Sequence, residues 1–257
     1  MDQGIPVKRT IVAGVLLLAG AAGAAAADMP VPQAAPVPPP IYRPAFYDWS
    51  GIYVGVNAGY GFGQANWIDI NGSTGNFNTS AFLIGGTLGA NYQTGPYIVG
   101  FEGDIDWTNL SGTSSSAGCI NLSAGVLPPG STCTTKQDYL GTARARIGYA
   151  FDRVFVFGTA GAAFGNQRVI VNVPGTGSFS NAIPTQLGWT VGGGVEYAFT
   201  EAISAKAEYL FVQLGTASCP TATGCIPTNF ANAGGTPTSH SLYESLVRAG
   251  VNYRFTW

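Results

Sequence analysis

The chain has 257 residues, with 11 Lys and Arg against 13 Asp and Glu, which gives a formal net charge of −2. Only 9% of its residues are charged, against about 25% in soluble domains, while 46% are hydrophobic and 37 are Gly. The hydrophobicity excludes a disordered chain, and the lack of a basic patch excludes a nucleic-acid partner. What remains is a Gly-rich, aromatic-rich β-protein with too few charges to cover a water-facing surface.

The N-terminal segment has the pattern of an export signal. Lys8 and Arg9 precede residues 11–27, a run without charge or Pro that closes with Ala25, Ala26 and Ala27 before Asp28. This pattern predicts a cleavable signal peptide over residues 1–27. An uncleaved anchor is the alternative, but the run is at the short limit for a spanning helix. Residues 28–48 are rich in Pro and are predicted to form an extended periplasmic segment.

Alternating apolar and polar residues recur in eight segments of the remaining chain, residues 49–257. In the last segment Val247 and Val251 share one face, whereas Arg248 and Arg254 lie on the other. We place the segments at residues 51–62, 81–93, 97–110, 137–151, 154–165, 185–199, 203–214 and 242–257. Their length and their apolar face predict an all-β fold, an eight-stranded antiparallel up-and-down transmembrane β-barrel that faces lipid.

The links between these segments alternate in length. Residues 94–96, 152–153 and 200–202 form short turns, whereas the other four links run for roughly fifteen to thirty residues rich in Gly, Ser, Thr and Asn. Short periplasmic turns and long outer loops are typical of outer-membrane barrels. We therefore expect both termini to be periplasmic and the loops, such as residues 111–136 and 215–241, to lie outside.

The four cysteines form two local pairs, Cys119 with Cys133 and Cys219 with Cys225. An exported chain meets an oxidising compartment, so we predict two structural disulfides, although three connectivities are formally open. The single His240 and the lack of a Cys-x-x-Cys motif argue against a zinc site. We predict no metal and no cofactor.

A resemblance to a known family rests on three features of the sequence. These are the opening strand WSGIYVGVNAGYG at residues 49–61, the Pro-rich stretch before it, and the ending VRAGVNYRF at residues 247–255. Over nearly its whole length the chain resembles the small outer-membrane "porin family" or immunogenic-protein barrels of alphaproteobacteria, of the OmpA/OmpX-like eight-stranded type.

The resemblance implies residence in the outer membrane of a Gram-negative bacterium. It also implies that the barrel-insertion machinery recognises the C-terminal aromatic residues, here Phe255 and Trp257, with Trp257 expected to fill that role. It implies no single activity, because members of the family are described as surface antigens, weak porins, adhesins or haem binders.

Placing the apolar face of each strand outward predicts which charged side chains face the lumen. The predicted network consists of Glu102, Asp104, Asp106, Arg144, Arg146, Glu196, Lys206, Glu208 and Arg248. The same alternation points Asp138, Thr142, Glu244 and Arg254 inward. Since opposite charges lie on neighbouring strands, we expect Glu102 to approach Arg146. We predict that ion pairs fill the lumen, because an eight-stranded barrel is just wide enough for side chains to fill.

An ion-selective pore is the alternative to a filled lumen. Inward glycines, among them Gly55, Gly59 and Gly194, are expected to leave gaps that water can occupy, and these gaps would permit a narrow leak.

His240 lies between Ser239 and Ser241 and four residues before Glu244, which suggests a Ser/His/acid hydrolase. We expect a solvated loop histidine instead, because these residue types are common in such loops and no oxyanion donor is placed. We predict no catalytic residue.

The sequence thus predicts an outer-membrane surface protein that contributes to envelope structure, with its long loops as the contact surface. The expected partners are outer-membrane lipid, lipopolysaccharide and the barrel-insertion machinery, and the oligomeric state is left open. Two other functions also stay open. One is a small passive channel for ions or small solutes, and the other is an adhesin or haem-binding surface protein.

Overall fold

The computed structural model describes residues 47–69, 72–122, 127–218 and 239–255. The predicted signal peptide, most of the Pro-rich segment, the Cys219 and Cys225 pair and Trp257 lie outside these ranges. No helix within them is long and apolar enough to span a membrane.

Eight long strands form a closed antiparallel barrel. The elements are β1 (Gly51–Asp69), β2 (Gly72–Ser73), β3 (Phe77–Thr94), β4 (Tyr97–Thr113), α1 (Ser116–Leu122), β5 (Thr132–Phe151), β6 (Val154–Val173), β7 (Gly177–Ala198), β8 (Ile203–Ser218) and β9 (Ser239–Phe255). The two-residue β2 folds back on β1, and each long strand pairs with the next one along the chain. The pairing of β1 with β9 closes the barrel, so the predicted eight-stranded antiparallel fold is confirmed.

Three short turns join the strands at one end of the barrel, as predicted. Gly95 and Pro96 link β3 to β4, Asp152 and Arg153 link β5 to β6, and residues 199–202 link β7 to β8. Gly95 and Asp152 have φ angles of 59° and 53°, a left-handed conformation that suits Gly and that Asp tolerates in turns. We call this the turn end and the opposite end the loop end.

The strands extend further at the loop end than the sequence predicted. β6 reaches Val173 and β7 begins at Gly177, so only three residues link them where a long loop was expected. Similarly, only residues 70–76 lie between β1 and β3, and they include β2. The prediction of long loops at these two positions is therefore wrong. The link after β4, which includes α1, remains long, whereas residues 219–238, where another long loop is predicted, lie outside the described ranges.

The missed strand segments follow from an inversion of the side-chain pattern. Near the turn end the exterior is apolar, and in β9 this exterior belt runs from Phe255 to Tyr243. Beyond the belt the apolar side chains point inward, so that Val169 and Val171 of β6 are buried and Arg168 is exposed. A search for strands with an apolar outer face stops at the edge of the belt. Beyond that edge each strand has a polar outer face and an apolar inner face, as in a barrel surrounded by water.

Register irregularities accompany this inversion at the loop-end edge of the belt. They fall at Trp107/Leu110 of β4, Lys136/Leu140 of β5, Gly165/Gln167 of β6 and Leu214/Ala217 of β8, each against a neighbouring strand. A β-bulge adds one residue to one strand and re-aims its side chains.

The irregularity in β5 overturns one sequence prediction. Asp138 was expected to face the lumen, but its side chain is 51% exposed on the outside of the barrel. The strict alternation that placed it inward is broken between Lys136 and Leu140. A one-residue shift moves a side chain to the other face of a strand, which accounts for the error.

Candidate functional site

Nine of the charged side chains predicted to face the lumen are buried together in the middle of the barrel. None exceeds 6% exposure, and we call this set of nine the charged layer: Glu102, Asp104, Asp106, Arg144, Arg146, Glu196, Lys206, Glu208 and Arg248. Five carboxylates thus face four cations, so the layer nearly balances its own charge. Near balance matters because charges taken out of water are tolerated when they are paired and hydrogen-bonded.

Two arginines each bridge several carboxylates. Nη2 of Arg144 lies 2.5 Å from Oε1 of Glu102 and 2.7 Å from Oδ2 of Asp104. Nη1 of the same guanidinium lies 2.9 Å from Oε2 of Glu208. Arg248 binds the same Asp104 at 2.8 Å and the same Glu208 at 2.7 Å. The two guanidinium groups therefore hold together carboxylates from different strands.

The remaining cations extend the layer around Glu102. Arg146 lies 3.0 Å from Oε2 of Glu102, which is the approach expected from the sequence, and 2.8 Å from Glu196. Nζ of Lys206 lies 2.8 Å from Glu102. Asp106 and Glu196 each have one ion-pair partner among the described residues, Arg248 and Arg146 respectively. The layer therefore has a densely paired centre at Glu102 and two singly paired carboxylates, Asp106 and Glu196.

Strand register explains only part of this pairing. Glu102 lies directly opposite Arg144 on β5, and Glu208 directly opposite Arg248 on β9, so these pairs follow from neighbouring strands. Lys206 of β8, in contrast, reaches across the lumen to Glu102 of β4. The closed barrel therefore creates ion pairs between strands that are not neighbours in the sheet.

Neutral side chains that the sequence did not single out complete the layer. The hydroxyl of Tyr53 donates to Oε2 of Glu102 at 2.7 Å. Ser204 and Asn252 donate to Oε1 of Glu196 at 2.6 and 2.7 Å. These donors occupy lone pairs that the cations leave free, which a buried carboxylate requires. They lie on the same strand faces as the charged residues, so the alternation pattern would have identified them.

The glycines of the barrel wall do not leave the expected gaps. A Cβ atom built on Gly59 would lie 2.9 Å from Cγ of Arg248, and one on Gly194 would lie 2.9 Å from Cβ of Glu208. A Cβ atom on Gly55 would overlap Oδ1 of Asn252. Interior side chains already lie against the wall at these glycines. The expectation of free space there is therefore wrong.

An aromatic cluster closes the lumen at the turn end. Its members are Tyr47, Trp49, Ile98, Ala150, Phe155, Phe157 and Ala198, and we call them the turn-end layer. The hydroxyl of Tyr47 donates to the carbonyl of Thr200 at 3.1 Å, and Nε1 of Trp49 donates to the carbonyl of Asp152 at 3.0 Å. Burial raises the pKa of Tyr47, with an opposing effect of nearby Arg254. Tyr47, which the sequence placed in the Pro-rich segment, thus packs with the barrel.

A hydrophobic core fills the lumen at the loop end. This loop-end layer includes Ala65, Trp67, Phe77, Leu110, Cys119, Cys133, Leu140, Val169, Val171, Ile183, Val212, Leu214, Leu242 and Leu246. The predicted disulfide between Cys119 and Cys133 is confirmed, and it ties α1 to the first residues of β5. Both cysteines are fully buried. The helix and the disulfide thus belong to the packing of the barrel.

His240 belongs to this layer, so the expectation of a solvated loop histidine is wrong. It lies in β9, three residues beyond Tyr243 and thus outside the apolar belt, and is only 1% exposed. Its Nε2 lies 3.1 Å from the hydroxyl of Thr135, and its ring centroid lies 5.8 Å from that of Trp67. Burial lowers the pKa of His240 to about 4. Its hydrogen-bond partner is a threonine of the core, which does not match a Ser/His/acid arrangement.

The charged layer also offers no arrangement for metal binding. Within the part of the chain that the structure describes, no three His, Cys, Asp or Glu side chains come together in a way that would hold a metal ion. The carboxylates in the lumen already bind guanidinium and ammonium groups. Chemically, the interior serves to fill and hold the barrel.

Comparison with known proteins agrees with this architecture. The family model for the outer membrane protein beta-barrel domain matches residues 13–255. The chain belongs to this family. The chain is 31% identical over 252 residues to the 31 kDa outer-membrane immunogenic protein of Brucella melitensis, with 91% of this chain and 95% of that protein covered. It is 27% identical over 248 residues to the 25 kDa outer-membrane immunogenic protein of Brucella abortus, with 96% and 98% covered.

These relatives confirm the resemblance and the outer-membrane location predicted from the sequence. Among solved structures, Neisserial surface protein A is 17% identical with a TM-score of 0.37, and the match covers 80% of this chain and 98% of that chain. The fold of this outer-membrane barrel rests on its own strand pairing and on the family match.

Proposed function

We propose that this outer-membrane barrel is a non-conducting surface protein that contributes to envelope structure and presents its loop end as a contact surface. The observation that carries this proposal is the filling of the lumen by three successive layers. The turn-end layer is aromatic, the charged layer is internally paired, and the loop-end layer is apolar. A passive channel would need a continuous polar path, and two of the three layers are apolar.

The charged layer by itself also opposes ion passage. A permeating ion would have to separate pairs such as Arg144 with Glu102, in which both side chains are 0% exposed. Breaking a buried pair costs about 3 to 5 kcal/mol because the remaining charge is left uncompensated. Such a barrier, repeated at several pairs, supports a silent barrel over a narrow leak.

The proposal includes an orientation, with the turn end and both termini on the periplasmic side. Short turns on that side and longer links outside are the usual arrangement of outer-membrane barrels. The exterior beyond the apolar belt is polar at the loop end, as a surface that meets water requires. The named relatives are immunogenic proteins, and we propose that the loop end of this chain is likewise accessible at the cell surface.

From the outer-membrane location we infer two partners. The apolar exterior belt would contact outer-membrane lipid, and Phe255, exposed on that belt at the end of β9, would form part of the signal read by the insertion machinery. The expected role of Trp257 in that signal stays a prediction.

Conductance in a planar bilayer tests the closed lumen. The processed chain is folded into vesicles, folding is verified by heat-dependent gel mobility, and single-molecule currents are recorded beside a general porin as the positive control. We expect a folded barrel without discrete current steps. Steps whose ion selectivity changes on Glu102→Gln would contradict the proposal and favour the channel.

Accessibility to a membrane-impermeant maleimide on intact cells tests the orientation. Thr176→Cys places a thiol in the tight link between β6 and β7, and Arg153→Cys places one in a turn at the opposite end. Both variants are made in a background without Cys219 and Cys225. We expect labelling of Thr176→Cys on intact cells, and labelling of Arg153→Cys only after the outer membrane is opened. The reverse result would overturn the orientation.

A further inference from the structure

Two cations face each other on the outside of the barrel near its loop end. Lys136 of β5 and Arg168 of β6 occupy directly paired positions, and both side chains are exposed. We call them the basic pair. Among the described lysines and arginines, the others lie in the lumen or, like Arg153 and Arg254, at the turn end. Among the described residues, exposed positive charge near the loop end is thus concentrated at one point.

The backbone that carries the basic pair is fixed by a polar side chain. Where the register between β5 and β6 shifts, Oδ1 of Asn166 accepts from the backbone N–H groups of Asp138 and Tyr139, both at 3.1 Å. Nδ2 of Asn166 donates to Oδ2 of Asp138 at 2.8 Å. The pair therefore sits on braced strands and not on a loop, which favours a preorganised surface.

The charge of the basic pair is only partly neutralised. Arg168 lies 3.3 Å from Asp138, with side chains 47% and 51% exposed, and such exposed pairs bind weakly. Lys136 has no ion pair within the described residues. Like charges placed opposite each other on neighbouring strands are destabilising at a Cβ separation of about 5 Å. An anion shared between Lys136 and Arg168 would remove this repulsion, and a phosphate suits both cations.

The position of the pair relative to the apolar belt identifies the source of the anion. Tyr139, which shares a hydrogen bond of 2.8 Å with Thr185, lies on the exterior at the loop-end edge of the belt. Lys136 is three residues further along β5, or about 10 Å of strand. That distance places the basic pair at the level of lipid headgroups.

We propose that Lys136 and Arg168 bind a phosphate group of a phosphorylated glycolipid in the outer leaflet. Asn166 braces the site, and Asp138 competes with the lipid for Arg168. The outer-leaflet assignment rests on the orientation proposed above, whereas the chemistry of the site does not depend on whether the barrel conducts.

Titration of the full processed chain in neutral detergent micelles with bisphosphorylated lipid A tests this proposal. Dephosphorylated lipid A serves as the matched ligand. We expect about tenfold weaker binding of the phosphorylated lipid to the Lys136→Gln/Arg168→Gln variant than to the unaltered chain. Asp138→Asn should bind more tightly, because it removes the competing carboxylate. Heat-dependent gel mobility verifies that each variant is folded.

Arg153→Gln is the control, since Arg153 is 43% exposed and lies 3.7 Å from Glu201, so that like Arg168 it is an exposed arginine near one carboxylate, but at the turn end. This control should bind lipid A as the unaltered chain does. The proposal is overturned if the double variant binds within twofold of the unaltered chain, if Arg153→Gln loses as much, or if both lipids bind equally. Displacement of lipid A by an equal concentration of inorganic phosphate would likewise overturn the commitment to a lipid. Failure of the orientation is detected separately, by the maleimide labelling.

Discussion

Replacing Arg248 by Met tests the idea that the charged layer holds the barrel together. Arg248 is 1% exposed and binds Asp104, Asp106 and Glu208. Methionine keeps an unbranched side chain but removes the charge and all donors. After the substitution Asp104 and Glu208 retain Arg144, whereas Asp106 is left without an ion-pair partner among the described residues.

The expected loss of unfolding free energy depends on the carboxylate of Asp106, which is left without an ion pair. Removing one partner of a buried pair costs about 3 to 5 kcal/mol. We expect the loss of unfolding free energy in Arg248→Met to lie at the upper end of this range, because Asp106 is 0% exposed and one of its oxygens already lacks a hydrogen-bond partner. Arg144→Met should fall at the lower end although it also removes three contacts, because each of its carboxylates keeps at least one other cation.

Urea unfolding of the vesicle-folded barrel, followed by tryptophan fluorescence and gel mobility, measures these differences. Adding Asp106→Asn to Arg248→Met should recover about 1 kcal/mol or more, since the second change removes the orphaned charge. Arg153→Met, at an exposed ion pair, is the control and should cost no more than about 1 kcal/mol. Equal losses of stability in Arg248→Met and Arg144→Met would refute the reasoning about Asp106. Losses as small as that of the control would refute it too, and would indicate a solvated lumen.

Three further predictions concern the other layers. Replacing Cys119 and Cys133 by Ala should lower the free energy of unfolding by about 3 kcal/mol, because the disulfide closes a loop with a sequence separation of 14; an unchanged urea midpoint would contradict this. Since the pKa of His240 is about 4 in the fold against about 6.5 unfolded, its contribution is present above pH 6.5 and is lost as pH falls towards 4. Between pH 7 and pH 4 the free energy of unfolding of His240→Gln should therefore fall by up to about 3 kcal/mol less than that of the unaltered chain. Parallel curves of unfolding free energy against pH for the two proteins would contradict this prediction. Trp49→Ala should cost about 3 to 5 kcal/mol and leave the barrel without current steps, because the charged layer remains; currents in this variant would show that the turn-end layer is the main seal.

The sequence was sufficient to predict the fold because a lipid environment requires the same alternation of side chains in every strand. Within the apolar belt every second side chain must be apolar, so the alternation from Val247 to Phe255 and in seven other segments identified the strands and their lumen-facing charges. This alternation no longer holds at the edge of the apolar belt. There the register shifts and the apolar side chains turn inward, so the alternation predicts the wrong face for Asp138 and a loop where β6 continues to Val173.

By itself, the sequence determined that this chain is an eight-stranded barrel of the outer membrane with charged residues in its lumen. That result is local, because it depends only on which face of a strand each residue occupies. Only the tertiary structure decided that Lys206 reaches Glu102 across the lumen, that His240 is buried against Thr135, and that Lys136 faces Arg168 outside. These contacts depend on barrel closure and strand register, which join residues far apart in the chain through geometry that no local pattern encodes.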